Sequence, residues 1–527
     1  MNYIKGLLVK GFKKFTSFEI TFNEHMNILV GENEAGKSTI LDAIKTVLNQ
    51  QYRTSDKAVL KDLFNAEMVA AFQKEPSIKT LPRIEIEVEL ELDPKHKNAE
   101  YFYGEAYGTR NTQPEKYGIR FECSFDEELG VGLDVFIQEG KIPYEYYTLT
   151  WTTFANRPYQ MVKRPINFVS IDTTNDGTIA SFNYYNKALF NSKYDENLRI
   201  QAKNTFRDQL EQAFEQIGLP NIDAQRTFGI DGKKVILEAI LSVYEGGISL
   251  ENHGSGMESL IKTQIALDKE SGVDIILMEE PENHLSFSTL QKMMKEISEK
   301  KETSQIIVTT HSNMIASRLN LKNVIWITQQ EAKSLNSINS EVASFFVKAD
   351  NNSFLQLLLA KKVILVEGAT EFLLVPYFYK QITGRTIEND DVAIISCNGI
   401  SFDNYLAIAE STNKKIAVIT DNDGNPSKLN DAFNFNKEHD SQRKFMSNNI
   451  DKEWTWEACI YEKNKAKLDK LITVQSGAKY LFHKTDHGPV LGKMLNNKVE
   501  TAYLMLTSDE SFEVPMYVKE AIEWISE

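Results

Sequence analysis

Gly31-Glu-Asn-Glu-Ala-Gly36-Lys37-Ser38 has the spacing GxxxxGK[ST], which suits the gripping of a triphosphate. Glycines let such a loop turn its main-chain N–H groups inward around phosphates. Lys37 offers a point charge to the outer phosphates, and the Ser38 hydroxyl can ligate Mg²⁺. Asn33 within the loop and Thr39 after it complete this cofactor-binding set. The loop needs a strand before it and a helix after it, whose positive end faces the phosphates. The apolar run MNILVG supplies the first. In STILDAIKTVLNQ, Ile40, Leu41, Ile44, Val47 and Leu48 recur at helical spacing and supply the second.

Three further constellations fit the same chemistry. In DIILMEEPENHL the apolar strand Ile275 to Met278 ends in Glu279 and Glu280. An acid there can hold Mg²⁺, the role expected of Glu279, and a second can deprotonate the attacking water, the role expected of Glu280. IIVTTHS delivers His311 from the strand Ile306 to Val308, one crossover later, where it can contact the γ-phosphate or that water. In SLENHGSGMESLI, Ser255 and Gly256 open a helix and form a second anion-binding turn. One chain does not need two turns for one γ-phosphate, but two chains arranged head to tail do. The order and wording of these motifs resemble ABC ATPases, and among them the SMC-like branch. The turn departs from the LSGGQ of transporters. Gln138 and Gln160 are both candidates for the glutamine such ATPases carry.

A second set lies further on. KKVILVEGATE ends an apolar strand at Glu367, with Glu371 four residues later. KKIAVITDNDG ends another with Asp421 and Asp423, read as an alternating pair sharing one face. Hard oxygen ligands at strand ends suit Mg²⁺ or Mn²⁺. Two such ions can activate water and stabilise the leaving oxygen in phosphodiester cleavage.

The elements that must position these groups come in two runs. The first starts with IKGLLVKGFKKFTSFEITF, strand-like in two pieces around Gly11. RIEIEVELEL follows as a half-exposed strand, then short strands to Asp172, then a charge-rich helical stretch near 180–225. From Gly254 to Thr328 helices and strands alternate, as in a parallel sheet with crossovers. Residues 336–358 are polar and read as a linker with some helix. The alternation restarts near Lys361, which marks a second α/β domain at 359–527 after an ATPase domain at 1–335. Tyr377 and Tyr379, at helical spacing, read as core residues rather than nucleophiles.

The 527 residues carry a net charge of −15, which argues mildly against nucleic-acid binding without excluding a local basic groove. Three scattered cysteines indicate neither a disulfide framework nor a zinc site. Nothing suggests a signal peptide or a membrane span, so the expected location is cytoplasmic.

An acid-glycine pair after one strand and DxD after another resemble the Toprim fold. The whole order resembles the OLD family of nucleases: an ABC-type P-loop ATPase with inserted β-rich and helical regions, followed by an α/β Toprim domain. That resemblance implies a further metal-binding acid at Glu457 in TWEACIY and a lysine near the scissile phosphate at Lys498 in LGKMLNNKVETAYLM. It also implies ATP and Mg²⁺ or Mn²⁺ as cofactors, DNA as substrate, and a homodimer or higher oligomer, with the helical stretch as a dimerisation candidate. OLD-like nucleases act alone, beside a helicase-like protein as in Gabija phage defence, or as effectors of retrons with a reverse transcriptase. An SMC-like clamp that holds nucleic acid without cutting is the alternative.

Overall fold

The N-terminal alternation forms a hairpin of β1 (Tyr3–Phe12) and β2 (Phe15–Thr21). The break expected at Gly11 does not occur. β1 runs through it, and the turn falls at Lys13-Lys14, where Lys13 takes φ 47°. A two-residue hairpin loop needs such left-handed backbone to match the strand twist. Gly11 answers to space instead, since a Cβ there would lie 2.0 Å from Arg83 O. The computed structural model describes every residue except 1, 54, 96–97, 107–114, 130–131, 173–178, 224, 232–234, 269–271, 284, 301–303, 349–352, 398, 400–401, 413, 426–434, 437–441, 449, 451 and 476–479, together with the side chains of 172, 179–184, 255, 300, 313, 317, 347–348 and 411.

β3 (Met26–Gly31) and α1 (Lys37–Asn49) follow the hairpin. The chain then returns to the first sheet with β4 (Ile84–Glu91), β5 (Tyr103–Glu105), β6 (Glu115–Phe125) and β7 (Tyr147–Thr153). The order is β2-β1-β4-β6, with β5 and β7 both paired to β6. Ile84, Ile86, Val88 and Leu90 are buried as their alternation requires. The opposite face of β4 is less open than expected, because Glu87 is buried against the equally buried Arg120 at 2.7 Å.

β8 (Phe168–Asp172), α2 (Ile179–Lys193) and α3 (Glu196–Gln216) come next. They are followed by α4 (Ser255–Ala266), β9 (Ile275–Glu279), α5 (Phe287–Lys300), β10 (Gln305–Thr309), β11 (Val324–Ile327) and β12 (Ala332–Ser334). The strand order is β12-β11-β3-β10-β9-β8, parallel except for the edge strand β12. α1 turns Ile40, Leu41, Ile44, Val47 and Leu48 into the shared core. No residue of α3 is buried, and polar pairs such as Arg199–Asn191 and Lys203–Glu238 tie it to the rest of its unit.

Residues Met1–Asn336 form one compact unit and Ser337–Glu527 another. The stretch expected as a linker, 336–358, carries two helices, α6 (Ser340–Lys348) and α7 (Ser353–Leu359). They belong to the second unit because Phe346 and Phe354 are buried, with Phe346 against Tyr405. The polar composition hid this amphipathic face. The second unit continues through β13 (Lys362–Val366), α8 (Ala369–Thr383), β14 (Val392–Ser396), α9 (Phe402–Thr412), β15 (Lys415–Ile419), β16 (Arg443–Met446), α10 (Trp456–Leu471), α11 (Pro489–Asn496), α12 (Lys498–Thr507) and α13 (Met516–Ser526). Its parallel sheet runs β14-β13-β15-β16. The chain leaves β13 for one neighbour and returns to the other, which opens a crevice at the carboxyl ends of β13 and β15. Tyr379 is buried and donates to Asp390 at 2.6 Å, as a core residue does. Among the described residues no helix is long and apolar enough to cross a membrane.

Candidate active sites

β3 ends at Gly31, where a Cβ would lie 2.4 Å from Ile327 O on β11. Gly36 takes φ 98°, and a Cβ there would lie 2.3 Å from the Phe15 ring. Both glycines are therefore required by the loop's path. Lys37 is buried, and its ammonium donates to Gly31 O at 2.9 Å and Glu32 O at 3.0 Å. Burial lowers its pKa, while Glu280 and Glu282 oppose that shift. Asn33 and Ser38 are exposed, and Thr39 is buried. The loop thus presents Ser38 outward at the start of a helix, as a phosphate cradle demands.

β10 lies between β3 and β9, so His311 emerges between the loop and the acids. Glu279 ends β9 opposite Thr309, and Glu280 follows with φ 43°. Glu280 accepts a hydrogen bond from the Asn283 amide at 2.8 Å, and its other oxygen stands 3.6 Å from His311 Nε2. Burial and then Lys37 push the His311 pKa down, against Glu280 and Glu282, so the imidazole is neutral near pH 7. Glu282 is the residue the motif reading missed. Its Oε1 accepts from Thr310 Oγ1 at 2.7 Å and from His311 N at 2.8 Å. The acidic stretch EEPE carried the only signal for it.

α4 begins at Ser255, so Ser255 and Gly256 open a helix as expected, with the Ser255 side chain outside the described residues. Gln160 lies at the wrong end of α1 for a nucleotide contact. Its neighbour Tyr159 donates to Leu48 O, beside the helix C-terminus. Among the described residues no hydrogen bond ties Gln138 to the loop.

In the second unit Glu367 follows β13 and Asp421 follows β15, side by side in the crevice. Glu367 Oε1 accepts from Asp421 N at 3.0 Å and from the Thr420 hydroxyl. Asp421 is buried and accepts from Trp456 N at 2.9 Å. Glu371, on the first turn of α8, is buried too, and Gly368 leaves room for it, since a Cβ there would lie 3.2 Å from its Oε2. Glu457 is 2 % exposed. It accepts from Lys498 Nζ at 2.9 Å and from Thr370 Oγ1 at 3.3 Å. Lys498 is the first residue of α12, where a helix dipole disfavours a cation, so Glu457 must hold it there.

These five groups sense one another. Burial, and then repulsion from Glu457 and Glu367, raises Glu371 to about 7. Burial, then Glu367 and Glu371, raises Asp421 well above the usual carboxylate range. Burial alone would lower Lys498, but Glu457, Asp421 and Glu371 more than offset it and the net shift is upward. Asp423 does not belong to this buried set. β15 ends at Ile419, so the expected alternation does not reach the acids, and Asp423 is exposed at φ 50°.

Among the described residues no group of three or more acidic, histidine or cysteine side chains is placed so that it could hold a metal ion. Protein donors occupy Glu367, Asp421 and Glu457 instead. The cluster still fits a divalent cation by charge. Four carboxylates repel one another around a single ammonium; Lys498 and Thr370 engage both oxygens of Glu457, while the bonds to Glu367 and Asp421 fall on one oxygen of each and leave room for a metal at the other.

A family model for an AAA domain matches residues 7–362, and one for the TOPRIM domain of overcoming-lysogenization-defect-like proteins matches residues 358–423. The DNA replication and repair protein RecF of Lactobacillus johnsonii is 31% identical over 99 residues, covering 18% of this chain and 25% of that relative. The Old nuclease of Escherichia phage P2 is 24% identical over 152 residues, covering 26% of this chain and 25% of the nuclease. The chain thus spans about a quarter of the length of each of these two relatives. Similar solved structures include the SMC head domain from Thermotoga maritima, at 15% identity and TM-score 0.29, covering 63% of this chain and 98% of that one.

Proposed function

The chain belongs to the AAA-domain family and carries an OLD-like TOPRIM domain, and from that premise we propose that it is an ATP-hydrolysing, divalent-metal-dependent DNA endonuclease. The observation that carries this reading is the convergence of Glu367, Glu371, Asp421 and Glu457 with Lys498 at the carboxyl ends of adjacent parallel strands. A domain that only binds nucleic acid gains nothing from four mutually repelling acids. Its phosphate-facing surface would be better served by cations.

In this reading Glu367, Glu371, Asp421 and Glu457 hold Mg²⁺ or Mn²⁺, with exposed Asp423 as an outer contributor. The metal supplies Lewis-acid stabilisation and an activated water. Lys498, released from Glu457, neutralises charge developing on the scissile phosphate. Thr420, Thr370 and Trp456 N orient the carboxylates.

In the first unit Lys37 and the loop N–H groups bind the triphosphate, Ser38 and Glu279 hold its Mg²⁺, Glu280 takes the proton of the attacking water, and neutral His311 orients it. Ser255 and Gly256 complete the site of a second copy, so the working form is at least a homodimer, and exposed α3 is its dimerisation candidate. Phage defence in the cytoplasm, alone or beside a helicase-like or reverse-transcriptase partner, rests on the OLD resemblance. Cleavage of plasmid and single-stranded DNA with Mg²⁺ or Mn²⁺, and its arrest by a chelator, tests the proposal.

A further inference from the structure

The chain is strongly acidic, yet one pocket of the first unit is cationic. A cavity of about 400 Å³ opens where the segment before β8 meets α2 and α3, and Lys163, Arg164, Lys187 and Arg199 line it. The one carboxylate in its wall is Glu196. Glu196 stands 3.8 Å from Lys163, with both side chains about two-thirds exposed, so it screens that charge weakly. Arg199 is held by neutral acceptors, Asn191 Oδ1 at 2.6 Å and Asp195 O at 3.4 Å. Arg164 donates to the amide oxygen of Asn49, at 3.4 Å. Lys187 senses Glu238 from a distance, and Glu238 is already paired with Lys203 at 2.5 Å. Four cations facing one weakly coupled acid leave a local excess of positive charge in a chain whose total is −15.

We propose that this pocket is a phosphate-backbone site for DNA, separate from the triphosphate site of the same unit. Asn49, at its edge, is the last residue of α1, while Lys37 is the first, so the length of that helix, roughly 18 Å, separates the pocket from the triphosphate loop. Besides Glu196 and three asparagine amides, the polar side chains lining the opening are the four cations. Its one aromatic residue, Phe168, is buried and offers no ring for base stacking. Guanidinium and ammonium groups without a stacking platform read the phosphodiester chain and not the bases. This inference rests on the proposed DNA substrate. It adds the place where an acidic protein first engages that substrate, because cleft-focused charge steers a polyanion even against an unfavourable net charge.

The test is binding of a short labelled duplex, followed by fluorescence anisotropy across about 50 to 200 mM salt. Lys163 and Lys187 are exposed, so the double variant Lys163→Gln/Lys187→Gln leaves packing intact, and its ATP hydrolysis without DNA should match wild type. The slope of log affinity against log salt should fall by about two, since each phosphate contact contributes about 0.9. Arg199→Gln should lower it by about one, and Glu196→Gln should tighten binding. Wild-type affinity and slope in the double variant, in a protein that still cleaves DNA, would overturn the pocket and leave the nuclease reading standing. Wild-type protein that binds no duplex or single strand would overturn both. Inorganic pyrophosphate serves as the small-anion arm. Pocket-dependent pyrophosphate binding with unchanged duplex binding would assign the pocket to a small phosphate and overturn the strand site.

Discussion

Glu282 Oε1 accepts the main-chain N–H of His311 at 2.8 Å, and so an acid two residues beyond the proposed base fixes the turn that carries the histidine. The same oxygen takes the Thr310 hydroxyl at 2.7 Å, while Oε2 is buried without a hydrogen-bond partner among the described residues. An unpaired buried carboxylate oxygen is destabilising, and the nearby Lys37 cation offsets part of that cost.

Glu282→Ala should slow ATP turnover roughly ten- to a hundredfold through misplacement of His311, with ATP affinity near wild type. Glu282→Gln keeps an acceptor oxygen and should recover most of the rate. Steady-state kinetics separates the effects. Equal loss in both variants would show that the carboxylate's charge, and not its hold on the turn, is what matters.

Lys37→Ala should abolish nucleotide binding, because the loop loses the cation now held at Gly31 O and Glu32 O. Glu280→Gln should instead retain bound ATP and reduce hydrolysis by about a hundredfold or more. Filter binding and phosphate release distinguish them. Wild-type hydrolysis by Glu280→Gln would remove Glu280 from the role of base.

ATP should strengthen contact between protomers, because Ser255 and Gly256 open α4, and first-turn N–H groups, which have no partner within a helix, suit a partner's γ-phosphate. Light scattering with a slowly hydrolysed analogue measures this. A strict monomer with and without nucleotide would contradict the composite site.

Metal binding should be coupled to pH through Glu371. Its folded pKa is raised to about 7, above the value of about 4.3 for an unfolded glutamate. Between these values the folded chain keeps a proton that the unfolded chain has lost. The contribution to stability is therefore full below about 4.3 and is lost as pH rises through about 7. A divalent cation takes the proton's place, so Mg²⁺ or Mn²⁺ should raise Tm more at a pH about one unit above 7 than at one about as far below it. Glu371→Gln should flatten the difference. Equal metal increments on both sides of pH 7 in the wild-type chain would refute the coupling.

What the sequence made legible was what local spacing encodes. Apolar periodicity marked the buried face of α1, and acids directly after apolar runs marked Glu279, Glu367 and Asp421 at strand ends. What it hid depends on distant partners or on backbone geometry. Thr370 reaches Glu457 across 87 positions, and Glu282 reaches His311 across 29, with no periodic trace of either. The DNDG turn lies beyond its strand and separates Asp423 from buried Asp421, which a strict period of two does not foresee. The polar 336–358 stretch concealed Phe346 and Phe354, whose core role depends on Tyr405.

Plasmid nicking by wild type and by Asp421→Ala, scored beside phosphate release from ATP, tests the central claim most directly. Asp421 sits in the buried acid cluster of the second unit, while Lys37, Glu280 and His311 lie in the first. The substitution should cut Mg²⁺- or Mn²⁺-dependent nicking by about a hundredfold or more, because one fewer carboxylate leaves the metal short of a ligand and of charge. ATP hydrolysis should stay near wild type. Equal nicking by the two proteins would contradict the nuclease assignment, and joint loss of both activities would contradict the separation of the two sites.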